Sequence, residues 1–191
     1  MELQELLNQY IKKFEGDASN THYDNVVRRV FNENKHNGDI EAVLLKVSVL
    51  NSLYSTNIDR FDSYNLYKMA NHIVELARNR NLDDLLNSGD LKAVELIRHG
   101  IKRKKNNKEL DLYSFATKYC HWSNPESYPI YDSNVETAIY SLRKKKLIDN
   151  YNNLKDINTF KRVIDEIMKE SGITSYKKID QALWGYGKSL Q

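Results

Sequence analysis

The stretch DIEAVLLKVSVLNSLY, residues 39–54, carries apolar side chains around most of the circumference of a helix. Its apolar residues recur at intervals of three and four, which is the period of an α-helix rather than of a strand. A helix that is apolar on nearly all sides packs inside a protein instead of on its surface. The stretch therefore predicts a buried central helix that begins at Asp39, and it favours an all-α fold.

The helical period extends along the chain in both directions from this stretch. Apolar residues from Leu3 to Phe14 predict a first helix that ends at Gly16, and Thr21 is the expected cap of a second helix. A capping box of Ser133 and Glu136 is expected before another helix. The remaining helices are predicted near residues 64–76, 82–86, 90–99, 113–122, 135–147, 159–170 and 176–184.

Few turn residues interrupt these helices. The chain has two prolines and seven glycines in 191 residues, too few for a β-rich protein with many tight turns. We expect an all-α, compact bundle of about nine to ten helices. It forms one domain over residues 1–191, either as a single body or as two helical lobes with a cleft between them.

Composition excludes several classes of protein. With 40% hydrophobic residues the chain can form a core, which excludes global disorder. Its apolar runs are far shorter than the ~20 residues of a membrane span, and the single cysteine, Cys120, excludes an internal disulfide. The histidines form no HExxH pattern, and there is no glycine-rich phosphate loop. We expect a cytoplasmic protein.

Charge is distributed unevenly along the chain. Residues 1–100 carry 12 basic and 15 acidic side chains, whereas residues 101–191 carry 17 and 11. The basic half indicates either a surface that faces a polyanion or ordinary solvated helix faces. Two clusters are the candidates for contact with phosphates: the first is Lys102, Arg103, Lys104 and Lys105, and the second is residues 143–146.

The stretch SFATKYCHWSNPESYPIYDSNV, residues 114–135, is the part of the chain that points to chemistry. It predicts a helix, then a loop bounded by prolines, in which Ile130 anchors the segment that delivers Asp132 to the start of the next helix. A carboxylate at a helix N-terminus is held ionised and fixed in direction by the helix dipole. Asp132 is therefore either a positioned catalytic carboxylate or an ordinary helix cap, and physics alone favours the cap.

Two segments of that stretch, FATKY at residues 115–119 and PIYDSNV at residues 129–135, resemble the helix–hairpin–helix superfamily of DNA glycosylases. The resemblance is nearest to the divergent group similar to 8-oxoguanine DNA glycosylase. Residues 50–58 resemble the loop by which that group approaches DNA, and residues 179–188 resemble its closing helix.

The resemblance implies an enzyme that binds double-stranded DNA, flips out a damaged or modified base such as an 8-oxoguanine-like purine, and cleaves its N-glycosidic bond. Asp132 matches the catalytic carboxylate, which stabilises positive charge on the sugar. Members that also cut the strand form a Schiff base through a lysine on the preceding helix. Here Ser114 lies near the usual lysine position, 18 residues before Asp132, and Lys118 lies 14 residues before it. Either Lys118 supplies the amine from one turn further along, or water attacks.

The sequence departs from the superfamily at two other points. Residues 100–113 contain a single glycine, Gly100, so the hairpin is degenerate. Asn134 stands where an arginine that contacts phosphate is common. On the resemblance, the protein is expected to be a glycosylase, a nucleoid-associated monomer that needs no metal and no organic cofactor. A non-catalytic helical DNA-binding protein and a helical protein–protein adaptor are the alternatives.

Several other side chains are candidates for contact with the substrate. Trp122, Tyr131 and Trp184 either stack on a flipped base or belong to the core. His121 either contacts the base or caps its helix. Asn51 and Asn57 either reach the DNA or end a helix by local hydrogen bonds.

Overall fold

The computed structural model of the protein describes residues 2–62, 64–102 and 108–191. Within these ranges the chain forms ten α-helices and one 3-10 helix, η1, and no strand, which confirms the all-α fold class for the part described. A single antiparallel bridge joins Lys102 to Glu109. The helices are α1 Leu3–Glu15, α2 Ala18–Glu33, α3 Ile40–Leu53, η1 Ile58–Phe61, α4 Asn65–Arg80, α5 Leu82–Ser88, α6 Lys92–Arg98, α7 Tyr113–Ser123, α8 Ser133–Lys144, α9 Ile157–Ser171 and α10 Tyr176–Lys188.

The chain divides into two compact units. The first unit consists of Met1–His22 and Pro125–Gln191, and the second consists of Tyr23–Asn124. Helices α1, α8, α9 and α10 therefore belong to the first unit, and α3 to α7 belong to the second.

Helix α3 packs against α4 and α7 in the second unit. It buries Val43, Val47 and Leu50 completely, as the apolar stretch predicts. The other residues of α3 are buried or half-buried, except for one exposed stripe of Glu41, Leu45 and Ser52. The helix is therefore buried or half-buried over most of its circumference, as the apolar stretch predicts.

The one charged side chain on the buried side of α3 is Lys46, which is 1% exposed. Its Nζ donates hydrogen bonds to the carbonyl oxygen of Asn34 (2.9 Å) and to Oδ1 of Asn37 (2.5 Å). The hydroxyl of Tyr119 donates to the same Oδ1 (2.5 Å), and Nδ2 of Asn37 donates to Oδ1 of Asp83 (2.5 Å). Asn37 thus joins α3, α5 and α7 by side-chain hydrogen bonds.

Helix α10 is the centre of the first unit, with α1, α8 and α9 around it. At Gly187 the backbones of α10 and α8 meet, since a Cβ atom there would lie 1.9 Å from the carbonyl oxygen of Asn134. Only a glycine allows this approach without a shift of one helix. The first turn of α8, which follows Asp132, is therefore held directly against α10.

The starts of two helices differ from the sequence prediction. Helix α2 begins at Ala18 rather than at a Thr21 cap, and Asp17 accepts a hydrogen bond from the backbone N–H of Ser19 (2.9 Å). Helix α8 has Asp132, not Ser133, as its N-cap. Glu136 forms no capping box with Ser133, and instead its carboxylate accepts from the hydroxyl of Tyr131 (2.7 Å).

We expect Lys46 to make stability depend on pH. Burial lowers the pKa of Lys46 from 10.5 to about 8, against an opposing effect of the Asp83 charge. Between these two pH values the unfolded chain binds more protons than the folded one, so the free energy of unfolding rises with pH in that window. The expected gain between pH 7.5 and 9.5 is about 2 kcal/mol relative to the variant Lys46→Met, measured by urea denaturation. Parallel pH profiles for the two proteins would contradict this assignment.

We expect Gly187→Ala to destabilise the protein, because the added methyl group meets backbone rather than a flexible side chain. Overpacking of this kind costs about 1–3 kcal/mol. The matched control is Gly38→Ala, where nothing lies within 4 Å of the added Cβ. Urea denaturation should show a loss for Gly187→Ala and none for Gly38→Ala, and equal stabilities would show that α8 and α10 can separate freely.

Candidate functional site

Lys118 lies on α7 in the second unit and is 3% exposed. Its Nζ donates a hydrogen bond to Oγ of Ser114 at 2.9 Å, one helical turn earlier. The two side chains share a helix face, as their spacing of four residues predicts. The same Nζ lies 5.8 Å from the centroid of the Tyr54 ring. The amine is therefore placed between a hydroxyl group and an aromatic ring inside the unit.

Tyr54 and Asp24 form the next layer of this site. The hydroxyl of Tyr54 donates to Oδ1 of Asp24 at 2.5 Å, and Asp24 is itself buried. Sequence reasoning did not assign either residue a role. Tyr54 lies within residues 50–58, the segment that resembles the loop that approaches DNA. Nothing in the sequence near Asp24 indicates that it is buried, because its burial depends on a partner 30 residues away.

His121 and Trp122 follow Lys118 on α7 and are both buried. Their rings meet edge to face with centroids 5.5 Å apart, and the Trp122 ring also meets Tyr54 at 6.1 Å. Neither side chain reaches the surface in this structure. Burial therefore agrees with the core alternative for Trp122, and it does not decide between base contact and a helix cap for His121.

Asp132 lies in the first unit as the N-cap of α8, and its side chain is half-buried. Its Oδ1 accepts a hydrogen bond from the backbone N–H of Asn134 at 2.9 Å. The segment before it is anchored as expected, because Ile130 and Tyr131 are buried. Tyr131 packs edge to face on Phe160 at 5.5 Å and belongs to the core. The carboxylate is held in one direction at the positive end of a helix dipole.

Asn51 organises the loop between α3 and η1. Its Oδ1 accepts from the backbone N–H of Ile58 (2.8 Å), and its Nδ2 donates to Asp59 (3.0 Å). Local hydrogen bonding therefore accounts for Asn51. Asn57 is exposed and has a left-handed backbone with φ of +53°, and its Nδ2 donates to the carbonyl of Ser55 (2.8 Å).

Trp184, one of the predicted stacking residues, lines a surface pocket. The pocket has a volume of about 290 Å³ and includes Tyr10, Lys13 and Phe14 from α1. Nζ of Lys188 lies 4.8 Å from the centroid of the half-buried Trp184 ring. An aromatic ring beside lysines is a combination that suits a nucleobase with its phosphate.

The structure describes some of the candidate phosphate contacts and leaves others outside the described residues. Asn134 accepts from Nε2 of Gln191 (2.8 Å), and Lys102 is exposed beside the bridge to Glu109. Arg103, Lys104 and Lys105 lie outside the described residues. The residues of the second cluster, 143–146, are all described, and three of the four are exposed.

In residues 2–62, 64–102 and 108–191, no helix is long and apolar enough to cross a membrane. No group of three or more His, Cys, Asp or Glu side chains in these ranges is arranged to hold a metal ion. Cys120 is buried, and burial raises the pKa of its thiol.

Comparisons with known proteins connect the chain to one family. An uncharacterized protein of Haemophilus influenzae is 35% identical over 153 residues, which cover 79% of this chain and 69% of that protein. An aligned stretch of that length contains the middle of the chain, and therefore spans both Lys118 and Asp132. No solved structure matches the chain. The family model HI_0787_N, described as an N-terminal domain, matches residues 6–127 and includes the whole of the second unit. The chain belongs to the HI_0787_N family.

Proposed function

We propose that this protein is a DNA glycosylase that binds double-stranded DNA, extrudes a damaged or modified base and cleaves its N-glycosidic bond. The observation that carries the proposal is the setting of Lys118. Lysine is almost never fully buried, yet this one is 3% exposed beside Ser114 and the Tyr54 ring. Burial also occurs for a structural lysine such as Lys46, but a lysine that acts as a nucleophile needs a desolvated setting of this kind.

In the proposed reaction the amine of Lys118 attacks the sugar carbon that carries the base. The base departs with the electron pair of the glycosidic bond and takes up one proton from the amine nitrogen. The second bond of the imine forms as the bond from that carbon to the ring oxygen breaks, and the ring oxygen keeps this electron pair and takes up the second proton of the nitrogen. Ser114 positions the amine through its hydrogen bond. Imine formation opens the sugar and permits strand cleavage by the same enzyme.

Asp132 supplies the negative charge in this proposal. Positive charge develops on the sugar as the glycosidic bond breaks, and a nearby ionised carboxylate stabilises it. The hydrogen bond from Asn134 limits the directions that the carboxylate can take. A fixed charge stabilises the transition state without a cost of reorganisation at the moment of reaction.

A non-catalytic DNA-binding protein is the second candidate, and one observation favours it. The Asp132 carboxylate already fulfils an ordinary capping role toward the backbone of α8. In that case DNA binding persists while no base is released. The two candidates therefore differ in base release and agree in binding.

We expect Asp132→Asn to abolish base release while DNA binding is unchanged. Asparagine caps helices about as well as aspartate, so the variant removes charge and keeps the fold. The measurement is base release from a panel of duplex oligonucleotides, each with one different lesion, and the expected loss is about a hundredfold or more. The matched control is Asp156→Asn, which alters the N-cap of α9 in the same unit. Full activity in Asp132→Asn would leave Asp132 as a cap only.

We expect borohydride to trap a covalent adduct between the protein and a lesion-bearing duplex, since it reduces an imine to a stable amine. Lys118→Gln should remove the adduct, whereas Lys68→Gln, which alters an exposed lysine paired with Asp62, should retain it. Denaturing gel electrophoresis detects the adduct. If the wild-type protein releases a base and traps nothing, water is the nucleophile and Lys118 is structural.

A further inference from the structure

The first unit carries an exposed cluster of aromatic and basic side chains at the end of α8. The guanidinium carbon of Arg143 lies 5.0 Å from the centroid of the Tyr140 ring and 4.8 Å from that of Tyr151. Nζ of Lys144 lies 4.7 Å from the Tyr140 ring. Tyr140 is 45% exposed. We name Tyr140, Arg143 and Tyr151 the aromatic clamp.

The backbone conformation at the end of α8 brings the residues of the clamp together. Lys146 takes a left-handed conformation with φ of +57°. The N–H of Lys146 donates to the carbonyl of Arg143 (2.9 Å), and the N–H of Leu147 donates to that of Leu142 (3.0 Å). This helix ending normally uses glycine, and another residue costs about 1–2 kcal/mol there. The ending reverses the chain after α8, and the segment that follows brings Tyr151 to Arg143.

A surface pocket of about 400 Å³ adjoins the clamp. Besides the three clamp residues, it is lined by Thr137, Asn152, Asn153 and Leu154 and by Glu136, whose carboxylate accepts a hydrogen bond from Tyr131. Aromatic faces, a guanidinium group and amide side chains are the three kinds of group that recognise a nucleotide, through its base, its phosphate and its base edge respectively.

The clamp also lies in line with Asp132 along α8. Glu136, Tyr140 and Arg143 follow Asp132 at intervals of four, four and three residues, which places all four on one face of the helix. With a rise of 1.5 Å per residue, Arg143 is about 16 Å from Asp132 along the axis. A DNA strand that passes Asp132 and follows this face reaches the clamp.

We propose that the aromatic clamp binds an unpaired nucleotide of single-stranded DNA. Arg143, which lies over both tyrosine rings in the free protein, moves to the phosphate beside Lys144, and the base takes its place on Tyr140 and Tyr151. The choice of DNA as the ligand rests on the proposed function. The proposal adds a single-strand site, which base excision at Asp132 does not require. Single-strand binding is therefore tested without any lesion, and base release is scored in a separate assay.

The test measures binding of the full chain to a fluorescein-labelled oligothymidylate of about 12 nucleotides by fluorescence anisotropy, a length within the site sizes of single-strand-binding domains. A second probe is an abasic strand of the same length, which keeps the phosphates and lacks the bases. Stacking contributes about tenfold or more in affinity for each base. We expect Tyr140→Leu and Tyr151→Leu each to weaken oligothymidylate binding by about tenfold and to leave abasic-strand binding unchanged.

Matched variants separate stacking from charge and from loss of fold. Tyr67→Leu alters a tyrosine of similar exposure, 51%, in the other unit and should have no effect. Arg143→Gln should weaken both probes, whereas Arg162→Gln, an exposed arginine on α9, should weaken neither. Circular dichroism checks that each variant is folded.

Three results would overturn the proposal: no binding of oligothymidylate by the wild-type protein, equal binding by Tyr140→Leu, and parallel losses on both probes for the tyrosine variants. A clamp that instead recognises an acidic peptide would give the first of these results. Single-strand binding that persists without base release would overturn the proposed function and retain the clamp.

Discussion

The hydrogen-bond network around the buried amine of Lys46 is the interaction on which the second unit depends. A charged group at 1% exposure is costly unless oxygen atoms surround it. Here Asn37 accepts from both Lys46 and Tyr119, and its own amide donates to Asp83. Three helices that are distant from one another in the sequence, α3, α5 and α7, are therefore joined through the side chain of Asn37. If one partner is removed, the others are left buried with unsatisfied hydrogen-bonding groups. The loss of one side chain therefore destabilises the whole network.

This network also determines where Lys118 lies. Tyr119 and Lys118 are adjacent on α7, and adjacent side chains on a helix point about 100° apart. Once the hydroxyl of Tyr119 is bonded to Asn37, the rotation of α7 about its axis is set. Lys118 is then directed toward Ser114 and Tyr54 rather than toward Lys46. The first unit has a corresponding constraint, because contact between Gly187 and the backbone of Asn134 sets the position of the first turn of α8.

Local features of the structure were predictable from the sequence, and long-range ones were not. The end of α1 at Gly16 and the cap of α3 at Asp39 follow from residues within one turn of each site. The choice between Asp132 and Ser133 as N-cap does not, since both residues can cap a helix and the local signal, Glu136 three residues after Ser133, favours the residue that is not the cap. Lys46 interrupts an apolar run in the sequence, and its burial depends on Asn37, which is held in turn by a residue 82 positions away.

The capping role of Asp132 does not by itself explain its environment. Asp39 and Asp156 cap α3 and α9 through the same kind of hydrogen bond, and both are exposed. Asp132 is half-buried, on a helix whose first turn is pressed against α10. Partial burial of a carboxylate is a cost that capping alone does not require, since an exposed aspartate caps a helix equally well. An electrostatic role gains from that burial, because a charge in a less polar setting acts more strongly on a charge that develops nearby.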